Sequence, residues 1–139
     1  MFWNRDKKQP ETHDRRPAAG DGNAKLHVPV DPEWEVHPEQ VRRMLQEKVD
    51  FLFLDIRLDK EIQVARIHGA TWVPLHELPA SIQKLESWRN KHIVVHCHRG
   101  RRSLRATEWL REQGFTDAYS MAGGIDAWSI LIDNAVPQY

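Results

Sequence analysis

A single cysteine, Cys97, is all the thiol in this chain of 139 residues. One cysteine excludes an intramolecular disulfide framework and suits a reducing compartment. Net charge is absent too, since 20 acidic side chains cancel 20 basic ones. A nucleic-acid binder carries a basic surplus, so none is expected as a partner, and any electropositive site must come from local placement. Long apolar runs are also missing. Nothing approaches the roughly 18 apolar residues of a membrane span, and Met1 to Arg5 turns polar at once, without the apolar stretch of a signal peptide. The expectation is a cytoplasmic protein that does not engage a membrane.

What is present fits one α/β domain behind a leader. Residues 1–31 hold Pro10, Pro17, Pro29, Gly20 and Gly22 among mixed charges, with few large apolar residues besides Phe2 and Trp3. They are expected to form a disordered tail, and residues 32–139 the folded domain. Trp34 to Val36 reads as a short strand, and His37-Pro38 opens a helix whose Val41, Met44 and Leu45 fall on one face. Phe51 to Asp55 and Ile93 to Val95 are nearly continuous apolar runs, which suit central parallel strands covered on both faces. Gly69 to Pro74 gives a turn and a brief strand, and Leu78 to Trp88 is weakly helical. A helix is expected from about Ser103 to Gln113, with Ala106, Trp109 and Leu110 facing inward. Ala118 to Met121 forms a last strand, followed by Gly123-Gly124 and a helix from about Ile125. Alternating strands and helices point to a parallel sheet flanked by helices on both faces.

The chemistry concentrates in His96-Cys97-His98-Arg99-Gly100-Arg101-Arg102-Ser103. Ligands of open parallel sheets bind beyond the carboxyl ends of the strands, and Cys97 sits there, with a helix starting shortly after it. A short loop with a glycine can turn successive N–H groups inward as an anion cradle, and the helix N-terminus adds donors and positive partial charge. Such surroundings favour the thiolate, the nucleophilic form of cysteine, and stabilise negative charge developing during transfer. A cysteine after an Ile-Val-Val strand is more often a small buried hydrophobe; the flanking arginines weigh against that reading here.

Two rival chemistries fit poorly. A metal centre would have to use His92, His96, Cys97 and His98. On a strand, His92 and His96 share a face but stand ~13 Å apart, whereas zinc needs each ligand within about 2.0–2.3 Å. Cysteine-dependent phosphatases place an arginine after five intervening residues; here that position is Ser103, and Arg102 comes after four.

From about Trp34 to Leu131 the chain resembles the rhodanese family. Cys97, Gly100, Arg102 and Ser103 fall on its loop pattern, Cys-x-x-Gly-x-Arg followed by Ser or a small residue. Asp55-Ile56-Arg57 matches its Asp-x-Arg, Ile67 to Pro74 its Ile-x-Gly-Ala-x-x-x-Pro, and Gly123 to Trp128 its Gly-Gly-x-x-x-Trp. The resemblance implies a five-stranded parallel sheet flanked by helices, no cofactor, and sulfur transfer through a Cys97 persulfide; no metal is expected, on the strand geometry above. The donor would be a small sulfur-bearing anion such as thiosulfate, and the acceptor a thiol or cyanide; a protein donor or acceptor is equally compatible. Arg102 would help hold the loop and the donor anion. His98, Arg99, Gly100, Arg101 and Ser103 complete the loop, Arg99 and Arg101 adding positive field. Asp55 and Arg57 are expected to form a structural ion pair. The principal alternative is an idle binding module of the same fold, and a phosphatase or arsenate reductase is the lesser one.

Overall fold

The computed structural model describes residues 26–139. Most of the expected tail, with Phe2 and Trp3, lies outside the described residues. Where the leader is described, packing begins before Pro32, because Val28 is buried against Ala122 and Ala127 with Val30 beside them.

Five strands, β1 (Glu35–Val36), β2 (Leu52–Asp55), β3 (Thr71–Trp72), β4 (Ile93–His96) and β5 (Ala118–Met121), form one sheet in the order β1-β5-β4-β2-β3. Every pairing is parallel. The helices are α1 (Pro38–Gln46), α2 (Asp59–Val64), α3 (Leu78–Ser81), α4 (Arg101–Glu112) and α5 (Gly124–Leu131), with 3-10 segments at Leu75–Glu77 and Ile82–Trp88.

Side chains alternate across a strand, and the apolar runs sort accordingly. Leu52, Leu54, Ile93 and Val95 face one layer with Ala106 and Leu110 of α4 and Leu78 of α3. Phe53 and Val94 face the other with Val41 of α1 and Ile125 and Trp128 of α5. Two layers cover both faces of the sheet, as the apolar β2 and β4 sequences require.

Helix α4 starts at Arg101, two residues before the expected Ser103, because Gly100 takes a left-handed φ of 102° and ends the loop there. Helix α2 was not anticipated. It buries no residue, so its sequence shows no apolar face; it is fixed at its start by the Glu61 carboxylate accepting the Leu58 N–H at 3.0 Å. The weakly helical Leu78 to Trp88 is a single α turn continued in 3-10 form.

Candidate active site

The strand parity that buries Val95 on the α4 face carries Cys97 to the same face, at the carboxyl end of central β4. Cys97 is only 1% exposed. Its sulfur accepts the backbone N–H groups of Gly100 and Ser103 at 3.2 and 3.3 Å. These donors come from the cap and first turn of α4, where N–H groups have no helical carbonyl to bond. The Ser103 hydroxyl lies 3.3 Å from the sulfur and 2.7 Å from the Ser120 hydroxyl. A hydroxyl both donates and accepts, so this buried pair serves either thiol or thiolate. Ser120 had no sequence signal; it enters because β5 is the neighbour of β4 and its alternate residues face α4.

The loop is braced from below by α5. Ile125 and Asp126 donate their N–H groups to the carbonyls of Cys97 and His98 at 2.9 and 3.0 Å. These two first-turn donors of α5 are thereby spent on the loop. Close approach explains the paired glycines: a Cβ on Gly124 would sit 2.6 Å from the Cys97 carbonyl oxygen and collide with that of His98.

The loop arginines divide. Arg99 and Arg101 are exposed, while Gly100 is buried. Arg102 is half-buried and gives both terminal nitrogens to the Glu61 carboxylate at 2.7 and 2.9 Å. Those hydrogen bonds hold the guanidinium proton more firmly, and the nearby Cys97 adds to the effect. Partial burial alone would raise the Glu61 carboxyl, but Arg102, the Leu58 N–H and the Tyr139 hydroxyl outweigh it and bring it down to about 2. Arg102 is thus one half of an ion pair. Each of its terminal nitrogens carries a second N–H, available to an anion.

Beneath this pair lies a second one. Arg57, fully buried, donates Nε and Nη2 to the two Asp55 carboxylate oxygens at 2.9 and 2.7 Å. Its remaining donors reach the carbonyls of Ala65 and Glu61 and the Tyr139 hydroxyl. Asp55 and Arg57 therefore sit under the loop without touching Cys97's donors. The three neighbouring histidines diverge. His92 lies 3.3 Å from Asp117. His96 points to the face opposite Cys97, against Phe53, with Nε2 3.5 Å from Asp55. Burial drives His96 down to about 4 against the pull of Asp55, with Arg57 adding to the lowering. It is neutral near pH 7, and its contact with Asp55 is not an ion pair. His98 lies flat on the Tyr139 ring.

Besides Ser120, Glu61 and Tyr139 are the site residues that sequence reasoning missed. Glu61 reads as an ordinary acid in a polar helix, and Tyr139 reaches the site only because the chain folds back after α5.

Comparison with known proteins identifies the family and agrees with the fold. The rhodanese-like domain family matches residues 37–131. A sulfurtransferase of Allochromatium vinosum is 30% identical over 95 residues, covering 68% of this chain and 87% of that protein. A chloroplastic rhodanese-like/PpiC domain-containing protein of Arabidopsis thaliana is 30% identical over 114 residues, covering 78% of this chain but 38% of that longer protein. Among solved structures, a human single-domain sulfurtransferase superimposes with a TM-score of 0.57 at 30% identity, covering 68% of this chain and 93% of that one.

Proposed function

This chain belongs to the rhodanese-like family, and from that premise we propose that it transfers sulfane sulfur through a persulfide on Cys97. Relatives named sulfurtransferase support sulfur transfer as its general chemistry. One observation carries the mechanism: the Gly100 and Ser103 N–H groups converge on the Cys97 sulfur at 3.2 and 3.3 Å. Charge on that sulfur meets donors already in place, which is how preorganised sites stabilise charge without rearrangement.

In this reading the Cys97 thiolate attacks the outer sulfur of thiosulfate. The bond between the two thiosulfate sulfurs breaks, and sulfite leaves with its electron pair. The negative charge, now on the terminal persulfide sulfur, is stabilised by the loop N–H groups. A nucleophilic acceptor then takes that outer sulfur, and the electron pair of the cleaved bond returns to Cys97 as thiolate. Cyanide yields thiocyanate, and a thiol yields its own persulfide. This is covalent catalysis with ping-pong kinetics. Arg102, aimed by Glu61, offers its outer N–H groups to the donor anion, while exposed Arg99 and Arg101 strengthen the local field. A protein thiol fits the acceptor role as well as a small one does. The proposed setting is the reducing cytoplasm, in keeping with a lone reactive cysteine. Among the described residues, no helix is long and apolar enough to cross a membrane.

Intact-protein mass after thiosulfate, then cyanide, on wild type and Cys97→Ser tests the proposal. Gain of one sulfur atom by wild type alone, removed by cyanide, is the expected result. A folded wild type with a free thiol that gains no sulfur from thiosulfate, polysulfide or a persulfide donor would overturn it.

A further inference from the structure

Beyond α5 the chain doubles back across the carboxyl end of the sheet. Val136 donates its N–H to the Asp133 carbonyl at 3.0 Å, and its own carbonyl accepts the Ser129 hydroxyl. Its side chain is buried in the layer that contains Phe53 and Trp128. This anchored turn delivers Tyr139 to the active-site loop. The Tyr139 ring stacks on His98 with centroids 4.0 Å apart and planes 6° from parallel. Its hydroxyl donates to Glu61 at 2.8 Å and accepts from Arg57 at 2.8 Å.

Those contacts reach the loop at two points. One is His98, immediately after the cysteine. Its Nε2 is buried without a hydrogen-bond partner, so no bond at that nitrogen fixes the ring, and the stack does. The other is Arg102, because the carboxylate that takes the Tyr139 hydroxyl also takes both terminal nitrogens of Arg102. Burial pushes the Tyr139 phenol up to about 12, and it remains a donor to Glu61 at neutral pH.

We propose that Tyr139 is a positioning residue for sulfur transfer, holding His98 by its ring and, through Glu61, holding Arg102 where its charge is felt at Cys97. This rests on the reading of Cys97 as the sulfur carrier. Phenylalanine would keep the stack and lose the link to Glu61; alanine would lose both.

The test compares the full chain with Tyr139→Phe and Tyr139→Ala. Cys97 is alkylated with iodoacetate and with iodoacetamide, probes of similar size that differ in charge, so the ratio of their rates reports positive charge beside the sulfur. In Tyr139→Ala that ratio is expected to fall about threefold, the scale of displacing one nearby charge in a solvated site. The KM for thiosulfate should rise about tenfold, as for a lost charged hydrogen bond, with a smaller change in kcat. Tyr139→Phe should lie between the two. It also carries the test if the alanine variant does not fold, and its ratio is then expected below that of wild type. A wild-type ratio and KM in a folded Tyr139→Ala, or a wild-type ratio in Tyr139→Phe where that variant alone folds, would overturn the proposal. If wild type transfers no sulfur, the function proposed above fails, and the alkylation ratio still decides whether Tyr139 positions the loop.

Discussion

Arg102 and Glu61 meet end to end, both terminal nitrogens of the guanidinium on both oxygens of the carboxylate, at 2.7 and 2.9 Å. The loop arginine is therefore aimed by a residue from α2, the helix that follows β2 in the chain. Replacing Glu61 by Gln should cost about 1.5–3 kcal/mol, the range for hydrogen bonds to charged groups. The sign with pH is fixed. The folded carboxyl lies at about 2, below its ordinary 4.5, so its contribution is complete above 4.5 and lost as pH falls toward 2. Urea melts of wild type and Glu61→Gln should differ most at neutral pH and converge on acidification. A gap independent of pH would mean that the carboxylate charge is not what stabilises the fold.

Deeper in the protein, Asp55 and Arg57 are 3% and 0% exposed at their side chains. Asp55→Ala would strand a buried guanidinium, and breaking a buried pair from one side costs about 3–5 kcal/mol. Arg57 keeps its bonds to the Ala65 carbonyl and Tyr139, which places the expected loss toward the lower end. Chemical denaturation measures it. A loss within about 0.5 kcal/mol, typical of a surface substitution, would show that solvent reaches this pair.

How much of this was written in the sequence depends on whether a residue's role is local. The apolar runs around Leu52 and Ile93 announce buried parallel strands, because burial on both faces leaves a continuous apolar signature, and β5 falls on Ala118–Met121 as expected. Cys97, Gly100 and Ser103 are legible because the cradle is local, made within seven consecutive residues. Glu61 is 41 positions from Arg102 and Tyr139 is 78 from Glu61. Their contacts are made by topology, with no spacing rule to find them. Helix α2 escaped notice because a helix that buries nothing has no periodic face.

His96 offers a direct check on the electrostatics under the loop. Burial holds its imidazole down to about 4, against an ordinary 6.5. Between those two values the unfolded chain binds a proton that the folded one refuses, so this group makes stability fall as pH drops from 6.5 to 4 and leaves it unaffected above. Proton NMR of the His96 ring should show a neutral imidazole down to about pH 4. Titration near 6.5 would mean that Asp55, 3.5 Å away, outweighs burial and forms a true ion pair.

Gly124 separates backbone strain from loop bracing. At φ +61° it lies in the left-handed region, and an added Cβ would press on the carbonyls of Cys97 and His98. Gly114 is strained alike at φ +100°, but its Cβ would meet only the flexible end of Arg89. Alanine at either position should cost of order 1–3 kcal/mol for the backbone conformation. Only Gly124→Ala should also displace the carbonyls that accept the Ile125 and Asp126 N–H groups at 2.9 and 3.0 Å. The loop N–H groups would then no longer converge on the sulfur, and Cys97 alkylation should slow about tenfold or more, as when a preorganised donor is lost. Gly114→Ala should alkylate at the wild-type rate. Equal rates in the two variants, with both folded, would detach the α5 brace from the reactivity of Cys97 and leave the paired glycines as packing alone.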